Sequence, residues 1–166
     1  MHIDNHLNWK CHIDRILPKL ITAGFVIKQL FYVPNLKTSQ MAYFVYFHSI
    51  MRYGIIFWGN ATNSCMVFKL QKSVIRIMSG AEPRASCRSL FRKLEILPVP
   101  CKYILPLLPF IIDKPIIFLT GLETCGLHTR SKNQLFFPIS NLTSVQKEII
   151  YSGIKIYKFA QQYFKP

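Results

Sequence analysis

Residues 64–80 read SCMVFKLQKSVIRIMSG and residues 86–97 read SCRSLFRKLEIL, two amphipathic patterns joined by a short loop. In the first stretch, apolar residues return every three or four positions, which is the spacing of an amphipathic helix. The expected buried stripe consists of Val67, Leu70, Val74 and Ile77. Gly80 marks the expected end of this helix. Ser86 is expected to cap a second, shorter helix over residues 87–94.

The same two stretches and the loop between them carry a dense set of cations. The set is Lys69, Lys72, Arg76, Arg84, Arg88, Arg92 and Lys93. At about 100° per residue, Lys69, Lys72 and Arg76 share one helix face, opposite the apolar stripe. A helix that buries one stripe and points a row of cations outward is suited to a polyanion. The alternative is a solvated basic face that has no partner.

Five short motifs follow one another along the chain. The first two are Ile3-Asp4-x-x-Leu7-x-Trp9-x-x-His12-Ile13 and Tyr53-Gly54-x-x-x-Trp58-Gly59. The third has two neighbouring parts, Leu70-Gln71-x-x-x-Ile75-Arg76-x-Met78-x-Gly80 and Cys87-Arg88-x-Leu90-Phe91-x-x-Leu94-x-Ile96-Leu97. The last two are His128-Thr129-Arg130 and Tyr151-Ser152-Gly153-Ile154-Lys155-Ile156. In this order they resemble the region downstream of the catalytic palm in reverse transcriptases of jockey-like non-LTR retrotransposons. The resemblance runs almost from end to end.

This resemblance implies a thumb-like helical region in residues 1–97 and a partly irregular C-terminal extension in residues 98–166. In the family, the region holds the primer–template duplex. The implied partner is therefore the backbone of an RNA/DNA duplex, which Lys and Arg contact at its phosphates without reading its sequence. The expected nucleic-acid-binding residues are the seven cations Lys69, Lys72, Arg76, Arg84, Arg88, Arg92 and Lys93.

Catalytic residues are not expected in this chain. In the family, two adjacent aspartates on a palm turn bind the catalytic metals, and they lie upstream of the matching region. The seven acids here are Asp4, Asp14, Glu82, Glu95, Asp113, Glu123 and Glu148, and no two of them are close in sequence. Two-metal phosphoryl transfer needs carboxylates that converge on ions about 4 Å apart. We expect the remnant of a broken element, with no enzymatic activity, no cofactor and no small-molecule substrate.

The composition leaves two other interpretations open. The 166 residues are 51% hydrophobic and 17% charged, which is apolar for a chain with a net charge of +14. A piece of a larger enzyme fits this balance, and so does a small basic membrane or membrane-surface protein. Charges and prolines interrupt the apolar stretches 41–59 and 103–121, so a membrane-spanning segment is not expected. The third interpretation is an independent nucleic-acid-binding module.

The remaining pattern predicts a mainly α protein, a small helical bundle with an irregular C-terminal part. A helix over residues 9–31 should kink or break at Pro18, with His12 on its polar side. A second helix, capped by Thr38 or Ser39 and ending near Tyr53, is apolar nearly all round and should be buried on every side. Further helices are expected over residues 101–112 and 144–150, with residues 113–141 irregular.

The cysteines indicate a reducing compartment, and an intracellular location, nuclear or cytoplasmic, is favoured. Cys11, Cys65, Cys87, Cys101 and Cys125 are odd in number and lack Cys-x-x-Cys spacing, so we expect free and mostly buried thiols. The segment 125–128 offers one cysteine and one histidine. A zinc site needs four ligands, and no second pair is nearby, so no metal site is expected.

Overall fold

The structure is a computed structural model that describes residues 9–30, 36–114, 118, 135–138, 140–146 and 148–163. Within these residues the protein is mainly α-helical and forms no extended strand, which confirms the expected fold class. The chain divides into two compact units, Met1–Lys102 and Tyr103–Pro166.

Nine α-helices and one π-helical segment are present in the described part of the chain. In order they are α1 Lys10–Leu30, α2 Leu36–Ala42, the π-helical segment Tyr43–His48, α3 Ser49–Arg52, α4 Ile55–Trp58, α5 Ser64–Ser79, α6 Cys87–Lys93, α7 Val99–Asp113, α8 Thr143–Gln146 and α9 Ile149–Tyr163. Helix α2, the π-helical segment and α3 follow one another without a gap, so they form one helical run over residues 36–52.

Helices α1 and α5 pack together in the first unit. Their approach is tight at Gly24, where a Cβ atom would lie 3.1 Å from the Cγ2 atom of Val74. Of the kink or break expected at Pro18, the break does not occur, since α1 continues through this residue. Pro18 and Asp14 are both exposed, so water can hydrate the Asp14 carbonyl that the proline leaves without a donor. His12 is buried rather than on the polar side.

The helical run 36–52 is buried on one side only. Tyr43, Phe47 and Met51 are fully buried, whereas Val45 and Tyr46 are more than half exposed. The prediction of burial on every side is therefore wrong for this run. Its start also differs from the prediction, because α2 begins at Leu36 and not after a cap at Thr38 or Ser39.

Helices α5 and α6 end in the same hydrogen-bond pattern. At the end of α5, the Gly80 N–H donates to Ile77 O at 3.1 Å and the Ala81 N–H donates to Arg76 O at 3.0 Å. At the end of α6, the corresponding donors are the N–H groups of residues 95 and 96, with acceptors in residues 92 and 91. This pair of bonds is a Schellman motif, and it confirms the end of α5 that the glycine predicts.

Helices α7 and α9 carry the core of the second unit, Tyr103–Pro166. The hydroxyl groups of Tyr103 and Ser152 share a hydrogen bond of 2.7 Å. A Cβ atom at Gly153 would lie 3.2 Å from Ile111, which shows how closely the two helices pack. The helix expected over residues 144–150 is two helices, and the second extends to Tyr163. The segment 113–141 lies largely outside the described residues, and residues 136–138, 140 and 141 within it are irregular.

Candidate nucleic-acid interface

Helix α5 buries a broad side that differs from the predicted stripe. Val67 and Val74 are buried as expected, but Leu70 and Ile77 are only half-buried. Their place is taken by Gln71, Ile75 and Met78. Successive residues of a helix are about 100° apart around its axis. The centre of the observed buried side lies more than about 50° from the centre of the predicted stripe, on the side on which α6 packs.

The contact between α5 and α6 involves part of the predicted basic row. The rings of Phe68 and Phe91 stack with centroids 6.4 Å apart. Lys72 Nζ lies 4.2 Å from the centroid of the Phe68 ring, and Arg76 Nε donates to Ala85 O at 2.9 Å. Lys72 and Arg76 are consequently half-buried at this contact, whereas Lys69 is exposed.

The loop after α5 and the outer side of α6 present the remaining cations to solvent. The exposed members are Arg84, Arg88, Arg92 and Lys93. Arg88 and Arg92 are four residues apart, so they lie on the same face of α6, and Lys93 lies about 100° further round. The opposite face buries Cys87 and Phe91. We call the seven cations of α5, the loop and α6 the basic surface.

Two acids also lie in this part of the chain. Glu82 and Glu95 are both exposed, one in the loop and one just after α6. Residues 69–95 therefore contain seven cations and two acids, and the formal charge of the segment is +5. Such an excess of positive charge attracts polyanions at long range.

Gln71, which is fully buried, holds α5 in place through three hydrogen bonds. Its Nε2 donates to Tyr43 Oη at 2.8 Å and to Leu97 O at 3.0 Å. Its Oε1 accepts the Val99 N–H at 2.9 Å. Burial raises the pKa of Tyr43 to about 12, although the hydrogen bond from Gln71 acts in the opposite direction. Sequence reasoning missed this role, and its signal was a glutamine on the same helix face as Val67 and Val74.

The motifs behind the family resemblance have structural roles where they are described. In Tyr53-Gly54-x-x-x-Trp58-Gly59, Gly54 has a φ of 63°, and Trp58 Nε1 donates to Tyr53 O at 3.0 Å. Trp58 itself is fully buried. The segment 152–154 belongs to the core of the second unit. The motif at residues 128–130 and the residues before Trp9 lie outside the described residues.

A second group of basic residues lies where sequence reasoning did not place one. His48 ends the π-helical segment, Arg52 ends α3, and Lys102 lies in the first turns of α7. Burial lowers the pKa of His48, and the charges of Lys102 and Arg52 lower it further. The pKa of Lys102 is also lowered, first by burial and then by Arg52. Lys102 is distant in sequence from His48 and Arg52, so no local pattern could have grouped all three.

Metal ligands do not cluster in the described part of the chain, where no three His, Cys, Asp or Glu side chains are placed to hold an ion. The candidate ligands Cys125 and His128 lie outside it. The expectation of mostly buried thiols is wrong for the described cysteines, because Cys87 is buried but Cys11, Cys65 and Cys101 are exposed. None of the described helices has the length and apolarity needed to cross a membrane.

Comparison of the chain with known protein families, curated proteins and solved structures finds no match. The resemblance to a retrotransposon reverse transcriptase therefore rests on the sequence motifs. The basic surface rests on the positions of its side chains.

Proposed function

We propose that this chain is a remnant of the thumb and C-terminal region of a non-LTR reverse transcriptase, and that its basic surface binds the phosphate backbone of a nucleic-acid duplex. The observation that carries the proposal is the arrangement of α6. Its apolar side is anchored on α5, while Arg88 and Arg92 point to solvent beside Arg84 and Lys93. These exposed cations are the main contacts of the proposed interface.

Arginine suits this role because its planar guanidinium group can donate two parallel hydrogen bonds to one phosphate. At about 1.5 Å per residue, α6 is about 10 Å long, so its cations can reach only a few phosphates of the duplex backbone. Contacts of this kind position a duplex without reading its bases. Binding should therefore be independent of sequence and should weaken steeply with salt.

The anchoring of the basic surface supports the proposal further. Arg76 Nε ties the loop carbonyl of Ala85 to α5, and the buried Cys87 Sγ donates to Lys72 O at 3.7 Å. The loop and α6 are thus held at fixed points on a longer helix. Cations held in this way lose less conformational entropy on binding than cations on a loose segment.

A second candidate is a basic protein of the membrane surface. The observation that favours it is the exposure of large apolar side chains in the first unit, such as Phe25 at 60% and Met41 at 68%. Under the first proposal, these side chains mark faces that the rest of a polymerase would cover. Cosedimentation with vesicles of anionic and of neutral lipids tests the second candidate, which predicts vesicle binding that persists at high salt because it is apolar.

The first proposal is tested by fluorescence anisotropy with two duplexes of unrelated sequence over a range of salt concentrations. Each phosphate neutralised contributes about −0.9 to the log–log slope. The variant Arg84→Gln/Arg88→Gln/Arg92→Gln should flatten the slope by up to about three units. Its matched control is Lys19→Gln/Lys28→Gln/Lys155→Gln, which removes the same charge from exposed positions elsewhere. Equal losses in the two variants would show that only the net charge matters.

The chain should also show no primer extension with any divalent metal, because no two of its acids are close in sequence, unlike the adjacent aspartates that bind the metals in the family. The measurement is incorporation of labelled nucleotide on a primed template. Incorporation that survives purification and disappears when one acid of this chain is substituted would overturn this part of the proposal.

A further inference from the structure

The helical run over residues 36–52 exposes a continuous side to solvent. Five exposed residues follow one another at intervals of four, four, four and three positions, and they are Lys37, Met41, Val45, Ser49 and Arg52. Such intervals keep side chains on one side of a helix. We call these five residues the outer stripe, which is cationic at both ends and mainly apolar between them.

The apolar part of the outer stripe is widely open to solvent. Met41 is 68% exposed and Val45 is 60% exposed. Phe44 and Tyr46 beside them are exposed as well. The run itself is held in place, because its other side buries Tyr43 and packs against α1. Large apolar side chains that stand together on a firmly packed helix indicate a contact surface.

The serine of the outer stripe is hydrogen-bonded within its own helical run. Ser49 Oγ donates to Val45 O, and it also lies 3.2 Å from Tyr46 O. Because the hydroxyl already has a partner in its own helix, moving it out of water costs less than moving a hydroxyl without one. The middle of the outer stripe can therefore enter an apolar phase.

The surroundings of the outer stripe carry positive charge. Between Asp14 and Glu82 the sequence contains lysines and arginines but no acid. At the two ends of the stripe, Lys37 and Arg52 are on the order of 20 Å apart along the helix axis. An occupant that matches this side must therefore offer negative charge next to an apolar phase.

Three kinds of occupant can be compared on this basis. A nucleic-acid duplex offers negative charge, but its backbone has no apolar partner for Met41 and Val45. A second copy of the chain offers an apolar stripe, but in either helix orientation it sets the cations at the stripe ends against cations. An anionic lipid surface offers both properties, since its headgroups carry the charge and its acyl chains accept apolar side chains.

We propose that the outer stripe docks the chain on an anionic membrane surface, with the run 36–52 lying in the plane of the headgroups. Met41 and Val45 enter the boundary of the acyl chains, while Lys37 and Arg52 extend to the headgroup phosphates. The inference names the contact surface of the second candidate function, on which it rests. It does not depend on duplex binding by the basic surface.

The first test measures cosedimentation of the full-length chain with vesicles of phosphatidylcholine alone and of phosphatidylcholine with phosphatidylserine. The wild type should bind the anionic vesicles more tightly, and part of this binding should persist at high salt. Met41→Ser/Val45→Ser should weaken it by about tenfold or more, because two apolar side chains no longer enter the acyl region. The matched control is Ile21→Ser/Met66→Ser, which removes exposed apolar side chains of α1 and α5 and should weaken binding much less.

The cations at the ends of the outer stripe are tested in the same assay. Lys37→Gln/Arg52→Gln should weaken binding to the anionic vesicles by on the order of tenfold, because both side chains lie close to the headgroups. Lys19→Gln/Lys28→Gln removes the same charge from exposed positions of α1 and should weaken binding less. Equal losses in these two variants would overturn the inference, since only the net charge would then matter.

A tryptophan introduced into the outer stripe reports the contact directly. With anionic vesicles, the emission of Val45→Trp should shift to shorter wavelength and should be quenched by brominated acyl chains. Ser73→Trp, at an exposed position of α5, should show neither change. The wild type, with Trp9 and Trp58, supplies the background.

The outcomes separate this inference from the functions proposed above. If the chain binds vesicles but Val45→Trp does not respond, or if Met41→Ser/Val45→Ser loses no more affinity than its control, the inference is overturned and the second candidate function stands. If the wild type binds neither kind of vesicle, both are overturned, and the outer stripe is a face that the rest of a polymerase would cover. Duplex binding by the basic surface is judged separately by the salt titrations.

Discussion

Helix α5 and helix α6 carry similar cations but place them differently. On α5, Lys72 lies over the Phe68 ring and Arg76 donates to a loop carbonyl, so both are half-buried. On α6, Arg88 and Arg92 are exposed. The difference arises because Lys72 and Arg76 lie where α5 meets α6 and the loop before it, whereas Arg88 and Arg92 lie on the solvent side of α6. The sequence therefore shows which residues are cations, but it does not show which of them are exposed on the folded protein.

The two helices also differ at their C-terminal ends. Both end in a Schellman motif, but the left-handed position is Gly80 in α5, with φ 62°, and Glu95 in α6, with φ 53°. A left-handed conformation costs a non-glycine residue about 1–2 kcal/mol, because its Cβ approaches the backbone. The end of α5 is thus relaxed, whereas the end of α6 is strained.

The largest expected effect concerns the interior side of α5. Replacing Gln71 with Leu leaves the buried Val99 N–H and Tyr43 hydroxyl without their partner, and it also removes the part-buried hydrogen bond to the Leu97 carbonyl. We expect a loss of about 2–4 kcal/mol in the free energy of unfolding, measured by urea denaturation with tryptophan fluorescence. Ser73→Ala, at an exposed position of the same helix, is the control and should change stability by less than about 0.5 kcal/mol. Equal stability of Gln71→Leu and the wild type would contradict the role of the network.

The same network predicts a dependence on alkaline pH. The pKa of Tyr43 is raised from 10.0 to about 12, so the folded state favours the neutral phenol. Its contribution is fully present below pH 10 and is lost as the pH rises toward 12, by on the order of 2–3 kcal/mol. Tyr43→Phe should lack this part of the decrease when denaturation is measured at several pH values. Parallel pH profiles for the variant and the wild type would argue against it.

The helix ends give a smaller effect, with opposite signs for the two helices. Glu95→Gly should stabilise the protein by about 0.5–1 kcal/mol, because the relief of strain exceeds the entropy that glycine loses on folding. Gly80→Ala should destabilise it by about 1 kcal/mol, because alanine disfavours positive φ. Thermal denaturation of both variants checks the pair. A change of the same sign in both would mean that the two ends are not equivalent motifs.

The smallest expected effect compares how much the cations of α5 and those of α6 contribute to the binding of duplex DNA. In salt titrations with duplex DNA, Arg88→Gln/Arg92→Gln should flatten the log–log slope by up to about two units. Lys72→Gln/Arg76→Gln removes the same charge from half-buried positions and should flatten it by less than about one unit. If the α5 pair had the larger effect, the exposed cations of α6 would not be the main contacts.

Sequence reasoning succeeded where the deciding interactions are local. The apolar spacing of residues 67–78 and the glycine at position 80 act within a few turns, and they gave both α5 and its end. The burial of Gln71 depends on its contacts with Tyr43, Leu97 and Val99, which are far away in sequence, so no local pattern encodes it. The exposure of Val45 and Tyr46 could not be predicted for the same reason. A helical run that is apolar on all sides does not show which side its neighbours cover.

The candidate sites also have some features that local spacing predicts and others that depend on tertiary contacts. The row of Lys69, Lys72 and Arg76 follows from helical spacing, but the degree of burial of each cation depends on tertiary contacts. The effect of Lys102 on the pKa of His48 joins residues that are far apart in sequence and could be seen only in the fold. The positive φ of Glu95 is likewise imposed by its surroundings, since glutamate has no preference for that conformation.

The buried thiol of Cys87 makes the attachment of α6 measurable as a rate. Cys87 faces α5 and is shielded, whereas Cys65 and Cys101 are exposed to any thiol reagent. A reagent reaches Cys87 only when α6 separates from α5, so the ratio of its labelling rate to that of Cys65 gives the free energy of this local opening. Because Arg88 is the adjacent residue, the same ratio records how often the cations of α6 leave their fixed position.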